Sequence, residues 1–361
     1  MIRQGSPPIP SQRWLLLFAG GLALLPLFVR SSYLLTVMVF IGLYTILTVG
    51  LCLLMGYAGQ VSLGHAAFYG LGAYVSAITT LKAGLSPWLG IVFSLICTGA
   101  IAFLIAQPIF RLRGHYLAMA TLGFGYIVYI FFTEASALTG GPSGLSGVPY
   151  LSIGGWAFDR DVKSYYLVWG VAIVVLAASL NLVSSRTGRA LRAIHGSEIA
   201  AQAVGVNARR LKTQVFVLSA CFAGLAGSLY AHYLTFVNPS PFGFHFSVML
   251  LVMASVGGVA TVWGAPFGAA AVMAFSEVLR AVVPRFLSHA SGETEITVFG
   301  ILLMLMMIFM PAGVVPRIAD LNLLRKRVKW PPWSVIGQKI VTLLPWRRKW
   351  EGRGERIDTA G

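Results

Sequence analysis

Charge is scarce in this 361-residue chain. Only 11% of its residues are Asp, Glu, Lys or Arg, against roughly 25% in ordinary soluble domains, so a water-facing surface could not be covered. Acid is scarcer still, with 11 Asp and Glu against 27 Lys and Arg and a net charge of +16. Cysteine is limited to Cys52, Cys97 and Cys221. All three lie inside apolar segments and without C-x-x-C spacing, which argues against a disulfide framework or a thiolate metal site and for small core residues. The other histidines show no ligand spacing with His65. The chain has no G-x-x-x-x-G-K-[ST] phosphate loop and no visible nucleophile, base and oxyanion set. It is therefore read as neither an enzyme nor a nucleotide-binding subunit, with no cofactor or metal of its own.

What is present is apolar sequence, 57% of the chain, gathered in long runs. They fall at 14–29, 34–55, 61–81, 86–107, 115–133, 166–183, 214–234, 246–262, 265–283 and 296–315. At ~20 residues per membrane helix these runs predict an all-α polytopic membrane protein of about ten transmembrane helices. The first run, after a polar segment 1–13, is read as a retained span rather than a cleaved signal peptide. Placing both termini in the cytoplasm leaves only Arg30, Lys82, Arg160, Lys163, Arg280 and Arg285 outside, as the positive-inside rule requires. The basic residues then act as orientation signals, and nucleic acid is not expected as a partner. Three segments follow: 1–13, a cytoplasmic N-terminal stretch; 14–316, the membrane domain with a cytoplasmic loop at 184–213; and 317–361, a basic cytoplasmic tail. In the tail Arg325–Lys329, WPPW and Trp346–Trp350 suit an anionic lipid surface.

The loop holds the most informative stretch, Gly188 to Lys212, a basic island between apolar spans. Ser197 fits an N-cap, Glu198 places negative charge at a positive helix end, and Gly205 suits a left-handed helix ending. A short helix is expected there, with Ala200 and Ala201 forming a nearly bald surface that a partner's groove could approach. Arg189, Arg192, Arg209, Arg210 and Lys212 are expected to hold its flanks near water or lipid headgroups. An ordinary positive loop is the plainer alternative.

Inside the membrane, Gly56 to Tyr74 (GYAGQVSLGHAAFYGLGAY) packs small residues around Gln60, Ser62 and His65. Glycines allow either tight helix contact or a broken helix beside a cavity. A second irregular stretch, Phe236 to Phe246, contains Pro239 and Phe242 and enters a span five helices later in the opposite sense. It is a candidate inverted partner, giving a possible 5+5 inverted repeat with the translocation path between the halves, lined by Gln60, Ser62, His65, Pro239 and Phe242. Gly257, Gly258, Gly264 and Gly268 form a further small-residue seam. Glu277 stands almost alone as an intramembrane acid and is expected to meet Arg280 one turn on. Without a chain of ionisable groups, the alternative of a stand-alone secondary transporter or channel has little support. The glycine- and proline-rich stretch from Glu134 to Tyr165 is placed at the outer mouth, as a plain connection or a receiver for a soluble delivery protein.

From about Leu34 to Pro316 the chain resembles the LivM-type permeases of branched-chain amino acid (LIV) ABC transporters. The resemblance rests on GYAGQVSLGHAAFYGLGAY, on LTGGPSGLSG from Leu138 to Gly147, and on GRALRAIHGSEIAAQAVGVN followed by FVLSACFAGLAGSLYAH. It implies a bacterial inner-membrane subunit that pairs with a LivH-type permease, two ATP-binding subunits that hold ATP and Mg, and an extracytoplasmic solute-binding protein. It also implies that Glu198 to Gly205 is the coupling helix seated in an ATPase groove. Cys52, Tyr126, Ala260 and Ala265 depart from residues frequent in that family. The expected cargo is a branched-chain or other hydrophobic amino acid, with a UrtC-type urea or amide permease as the alternative.

Overall fold

The computed structural model describes residues 11–29, 31–112, 114–286 and 300. Its helices are α1 (Ser11–Phe28), α2 (Ser32–Cys52), α3 (His65–Leu81), α4 (Pro87–Ile109), α5 (His115–Glu134), the single turn α6 (Ser136–Thr139), α7 (Asp161–Ser184), α8 (Arg186–Gly196), α9 (Glu198–Ala203), α10 (Ala208–Leu234), α11 (Phe244–Gly257) and α12 (Gly264–Phe286). Among the described residues, five helical stretches are long and apolar enough to cross a membrane: Ser32–Tyr57, Pro87–Ile109, His115–Glu134, Asp161–Ser184 and Ala208–Leu234. Trp14–Phe28 and Phe244–Gly257 are shorter apolar helices. The chain is a polytopic membrane protein. The expected span at 296–315 and the tail 317–361 lie outside the described residues.

Two expectations need correction. The fold is not purely helical, because β1 (Leu145–Ser146) pairs antiparallel with β4 (Phe236–Val237), and β2 (Ser152–Ile153) with β3 (Trp156–Ala157). The run expected at 61–81 becomes helix only from His65, because residues 58–64 form an irregular connection. That connection follows a wide π-type turn, Leu53–Tyr57, in which Ala58 N–H donates to Leu53 O at 3.3 Å and Gln60 N–H to Leu54 O at 3.0 Å. Hydroxyls from other helices replace the missing helical partners. Thr121 of α5 accepts from Leu63 N–H at 3.0 Å, and Ser247 of α11 accepts from Ala66 N–H at 3.2 Å. Amides at a helix start need such acceptors where water is absent.

Helices α2 and α10 form the centre, and α4, α5 and α7 lie more peripherally with exposed apolar sides. Lipid is as apolar as Leu, so helix contact here depends on close van der Waals fit and buried hydrogen bonds. At the α3–α10 seam a Cβ on Gly72 would overlap the Gly224 carbonyl, and one on Gly227 the Tyr69 carbonyl. Ser228 Oγ donates across this seam to Gly72 O at 3.2 Å. The seam between α11 and α12 is equally tight, since a Cβ on Gly257 or Gly268 would overlap the backbone of Gly264 or Met253.

Candidate functional site

The polar island folds into a small unit at the N-terminal end of α10. Ser185 caps α8 and Asn207 caps α10, the latter accepting from Arg210 N–H at 3.0 Å. Arg189 and Arg192 donate to the last carbonyls of α7, Ser184 O at 3.3 Å and Val183 O at 3.2 Å, where positive charge complements a helix end. The short helix α9 starts as the sequence predicts: Ser197 Oγ accepts from Ala200 N–H at 3.3 Å. It ends with Gly205 at φ +84°, the left-handed conformation that glycine adopts at low cost.

The surface of α9 differs from the expectation. Ala200 is exposed, but Ala201 is buried and joins Ile194 and Ala208 in a small core, with Val206 and Leu211 packed against it. The solvent-facing apolar residues are instead Ile199 and Val204, 77% and 78% exposed. A six-residue helix must turn one side inward to be held at all, and Ala201 is the residue that does so. Lys212 is also corrected. It does not flank the unit in water but is 7% exposed, and its Nζ lies 2.8 Å from Glu198 Oε2. Glu198 thus ties α9 to the first turns of α10. Arg209 donates to Gln107 Oε1 of α4 at 3.0 Å. His195 lies against Gly59, where a Cβ would come within 3.3 Å of its Nδ1, so the unit touches the irregular segment leading to α3.

The interior candidates separate into two groups. Ser62 and His65 are buried in one network: His65 Nδ1 is 3.2 Å from Ser62 Oγ, and its Nε2 is 2.6 Å from Ser219 Oγ of α10. Gln60 is half-buried and donates from Nε2 to Ala58 O at 3.0 Å. Pro239 and Phe242 are buried. Phe242 sits in an aromatic cluster with its ring centroid 5.2 Å from Tyr69, 6.0 Å from Tyr74, 5.9 Å from Tyr230 and 6.1 Å from Phe132. The two irregular stretches therefore meet through α3. The Tyr69 and Tyr74 hydroxyls are buried with no hydrogen-bond partner among the described residues, an arrangement that asks for a reason. Sequence reading passed over both, together with Lys212 and Ser219 as partners of Glu198 and His65. Nothing local in the sequence marks them: Ser219 lies 154 residues from His65, and Lys212 meets Glu198 only once α9 folds back on α10.

At the opposite end of α10 the stretch between α5 and α7 is tied down by main chain. Leu145 and Ser146 pair with Val237 and Phe236, and Val148 N–H donates to Thr235 O at 3.1 Å. His232 bridges this loop to α3, with Nδ1 2.7 Å from Pro149 O and Nε2 2.9 Å from Ser76 Oγ. Glu277 meets Arg280 at 3.5 Å and accepts from the Tyr33 hydroxyl. No group of three or more His, Cys, Asp or Glu able to hold a metal ion occurs among the described residues.

The permease component of the branched-chain amino acid transport system is the family whose model matches residues 33–311. The chain belongs to this permease family. It is 34% identical over 297 residues to the high-affinity branched-chain amino acid transport system permease protein LivM of Escherichia coli, covering 76% of this chain and 68% of that protein. It is 25% identical over 290 residues to LivH of the same organism, covering 76% and 91%. The same identity holds over 293 residues to BraD of Pseudomonas aeruginosa, covering 76% and 92%. No solved structure matches. The chain is an ABC transporter permease subunit, a non-catalytic membrane component of a branched-chain amino acid transport system, and its relatives imply transporter partners.

Proposed function

We propose that this chain forms half of the translocation path of an ATP-driven importer of branched-chain or other hydrophobic amino acids in a bacterial cytoplasmic membrane. It spans that membrane about ten times, with both termini in the cytoplasm and a 5+5 inverted repeat about the path. A LivH-type permease supplies the other half, two ABC subunits bind ATP and Mg, and an extracytoplasmic protein delivers the solute. The observation that carries this reading is α9: a capped helix exposing Ile199 and, at its C-cap, Val204, while the Glu198–Lys212 pair fastens it to α10. An apolar tip on a rigid polar base suits a groove in an ATPase subunit.

Motion of that groove would reach the interior by two routes. One is the ion pair to α10, which carries Ser219 beside His65. The other is His195 against Gly59, beside the π-type turn, a helix irregularity that recurs at moving or functional positions. Nucleotide and solute would then bias one two-state equilibrium. On the interior side, Gln60, Ser62, His65, Pro239 and Phe242 border the path, and the unpartnered Tyr69 and Tyr74 hydroxyls would find partners when it opens.

The test is uptake of labelled leucine, phenylalanine and urea by proteoliposomes holding the complete complex, with its binding protein present. Leucine or phenylalanine uptake that stops without ATP supports the reading. Urea uptake alone moves the cargo to the amide branch, and flux through this chain without any ATPase overturns it. Glu198→Lys, which faces Lys212 with like charge, and Gly205→Pro, which cannot take φ +84°, are expected to insert normally while hydrolysis proceeds without uptake.

A further inference from the structure

A groove of about 670 Å³ runs between α4 and α10 toward the end that carries the coupling unit, within the ~300–1,000 Å³ range of small-molecule sites. Its walls divide by chemistry. Phe103, Val217, Leu218 and Cys221 line one part, while Gln107, Arg209 and Arg210 lie at the other. No carboxylate lines it. Arg209 is steered into place by Gln107 Oε1 at 3.0 Å, and the side chain of Arg210 makes no hydrogen bond or ion pair among the described residues. The two helices close against each other further along, where Gly99 would place a Cβ 3.1 Å from Cys221 Sγ and Gly224 one 2.5 Å from Thr98 Oγ1. The groove is therefore open at its basic end and pinched at its apolar end.

We infer that this groove is a binding site for an anionic glycerophospholipid of the cytoplasmic leaflet, its phosphate between Arg209 and Arg210 and an acyl chain along Phe103, Val217 and Leu218. The leaflet assignment rests on the topology proposed above. Charge selects the occupant: two guanidiniums with no acid among the lining residues bind a phosphate through several N–H donors, and their uncompensated charge favours a lipid whose headgroup adds no cation of its own. A basic recess between membrane helices next to an apolar channel presents the two halves of a phospholipid in register. Because Arg209 and Arg210 lie in the first turn of α10 and Lys212 just beyond holds Glu198, a lipid seated there would steady the base of the coupling unit.

Native mass spectrometry of the full-length chain, released from detergent with palmitoyl-oleoyl phosphatidylglycerol or phosphatidylcholine, tests this without ATPase or solute, so its outcome is independent of the uptake assay. The expected result is roughly thirtyfold greater retention of phosphatidylglycerol, as two surface cations would give. Arg209→Gln/Arg210→Gln should abolish the preference, and Arg186→Gln, on a cation outside the groove, should leave it intact. Leu218→Trp fills the apolar part at constant charge and should lower retention of both lipids; if it fails to fold, the arginine variants decide alone. Equal retention of the two lipids, or a preference that survives loss of both arginines, overturns the inference. So does release of phosphatidylglycerol on co-purification with the second permease, which would assign this face to a protein interface.

Discussion

The stretch between α5 and α7 and the one between α7 and α10, outer and inner in the topology proposed above, are similar in length, yet they are held by different forces. The outer stretch is fixed mainly through its main chain: two small ladders, Phe158 N–H to Leu151 O at 2.8 Å, glycines at positive φ from Gly140 to Gly155, and carbonyls of Ala137, Pro149 and Ser152 held by the Lys82, His232 and Trp88 side chains. Its side-chain charges are local, with Lys163 pairing Asp159 at 2.8 Å and lying 5.1 Å over the Trp156 ring. The Lys163 hydrogen bond holds the Asp159 carboxyl below its usual range. The inner stretch is fixed by side chains: three caps, two arginines on the end of α7, a small core and one half-buried ion pair. Main-chain ladders depend on backbone shape and resist displacement. Side-chain ties can fasten one rigid body to another and carry its movement, as the docking role proposed above requires.

The largest effect is expected from breaking the outer frame at Gly144. Its φ is +72° and a Cβ there would overlap the Val237 carbonyl, so Gly144→Val combines backbone strain with loss of the β1–β4 ladder. A cost of about 3 kcal/mol is expected from such strain, read as a lower unfolding midpoint and faster proteolysis within 135–160, with the inner segment's cleavage pattern unchanged. Next is Lys212→Met, which leaves Glu198 facing an apolar partner. Breaking a partly buried pair should cost about 2 kcal/mol, below the value for a fully buried one because Glu198 keeps water on one side. The exchange Glu198→Lys/Lys212→Glu should recover most of that loss in a double-mutant cycle. Additive losses would mean that the two residues act separately, and the contrast between main-chain and side-chain attachment would lose its inner half.

The inner unit was legible residue by residue because its signals are local. Ser197, Glu198 and Gly205 announce a capped short helix within nine positions, and the structure places it there. The reading went wrong where the answer depended on what folds over the helix: Ala201 turned inward, Ile199 outward, and Lys212 lies buried on Glu198. Apolar runs located the helices well, since hydrophobicity is summed over many residues, but they could not locate the break at 58–64. That break is held by Thr121 and Ser247, hydroxyls from distant helices that carry no local mark. The short ladders were missed for the same reason, two-residue strands being too brief to show alternation. The family motifs, by contrast, pointed to the permease family without any of this geometry.

The smallest effect on stability, and the one that most sharpens the comparison, is expected at Ile199. Its side chain is 77% exposed and belongs to neither the α9 core nor the ion pair. Ile199→Ser should therefore leave the unfolding midpoint of the isolated permease within about 0.5 kcal/mol of the parent, as exposed substitutions usually do. If α9 enters an ATPase groove, an apolar anchor at its tip contributes to that interface out of proportion to its role in folding. The variant should then retain fewer ATP-binding subunits on purification and lose solute uptake, while Val204→Ser gives a similar loss from the other side of the helix. A comparable exposed apolar residue on the outer stretch, Ile153 at 58%, serves as the control, since Ile153→Ser should leave ATPase retention unchanged. Equal retention by all three variants would show that the inner stretch is no more a docking part than the outer one, and its side-chain ties would then be ordinary packing at the foot of α10.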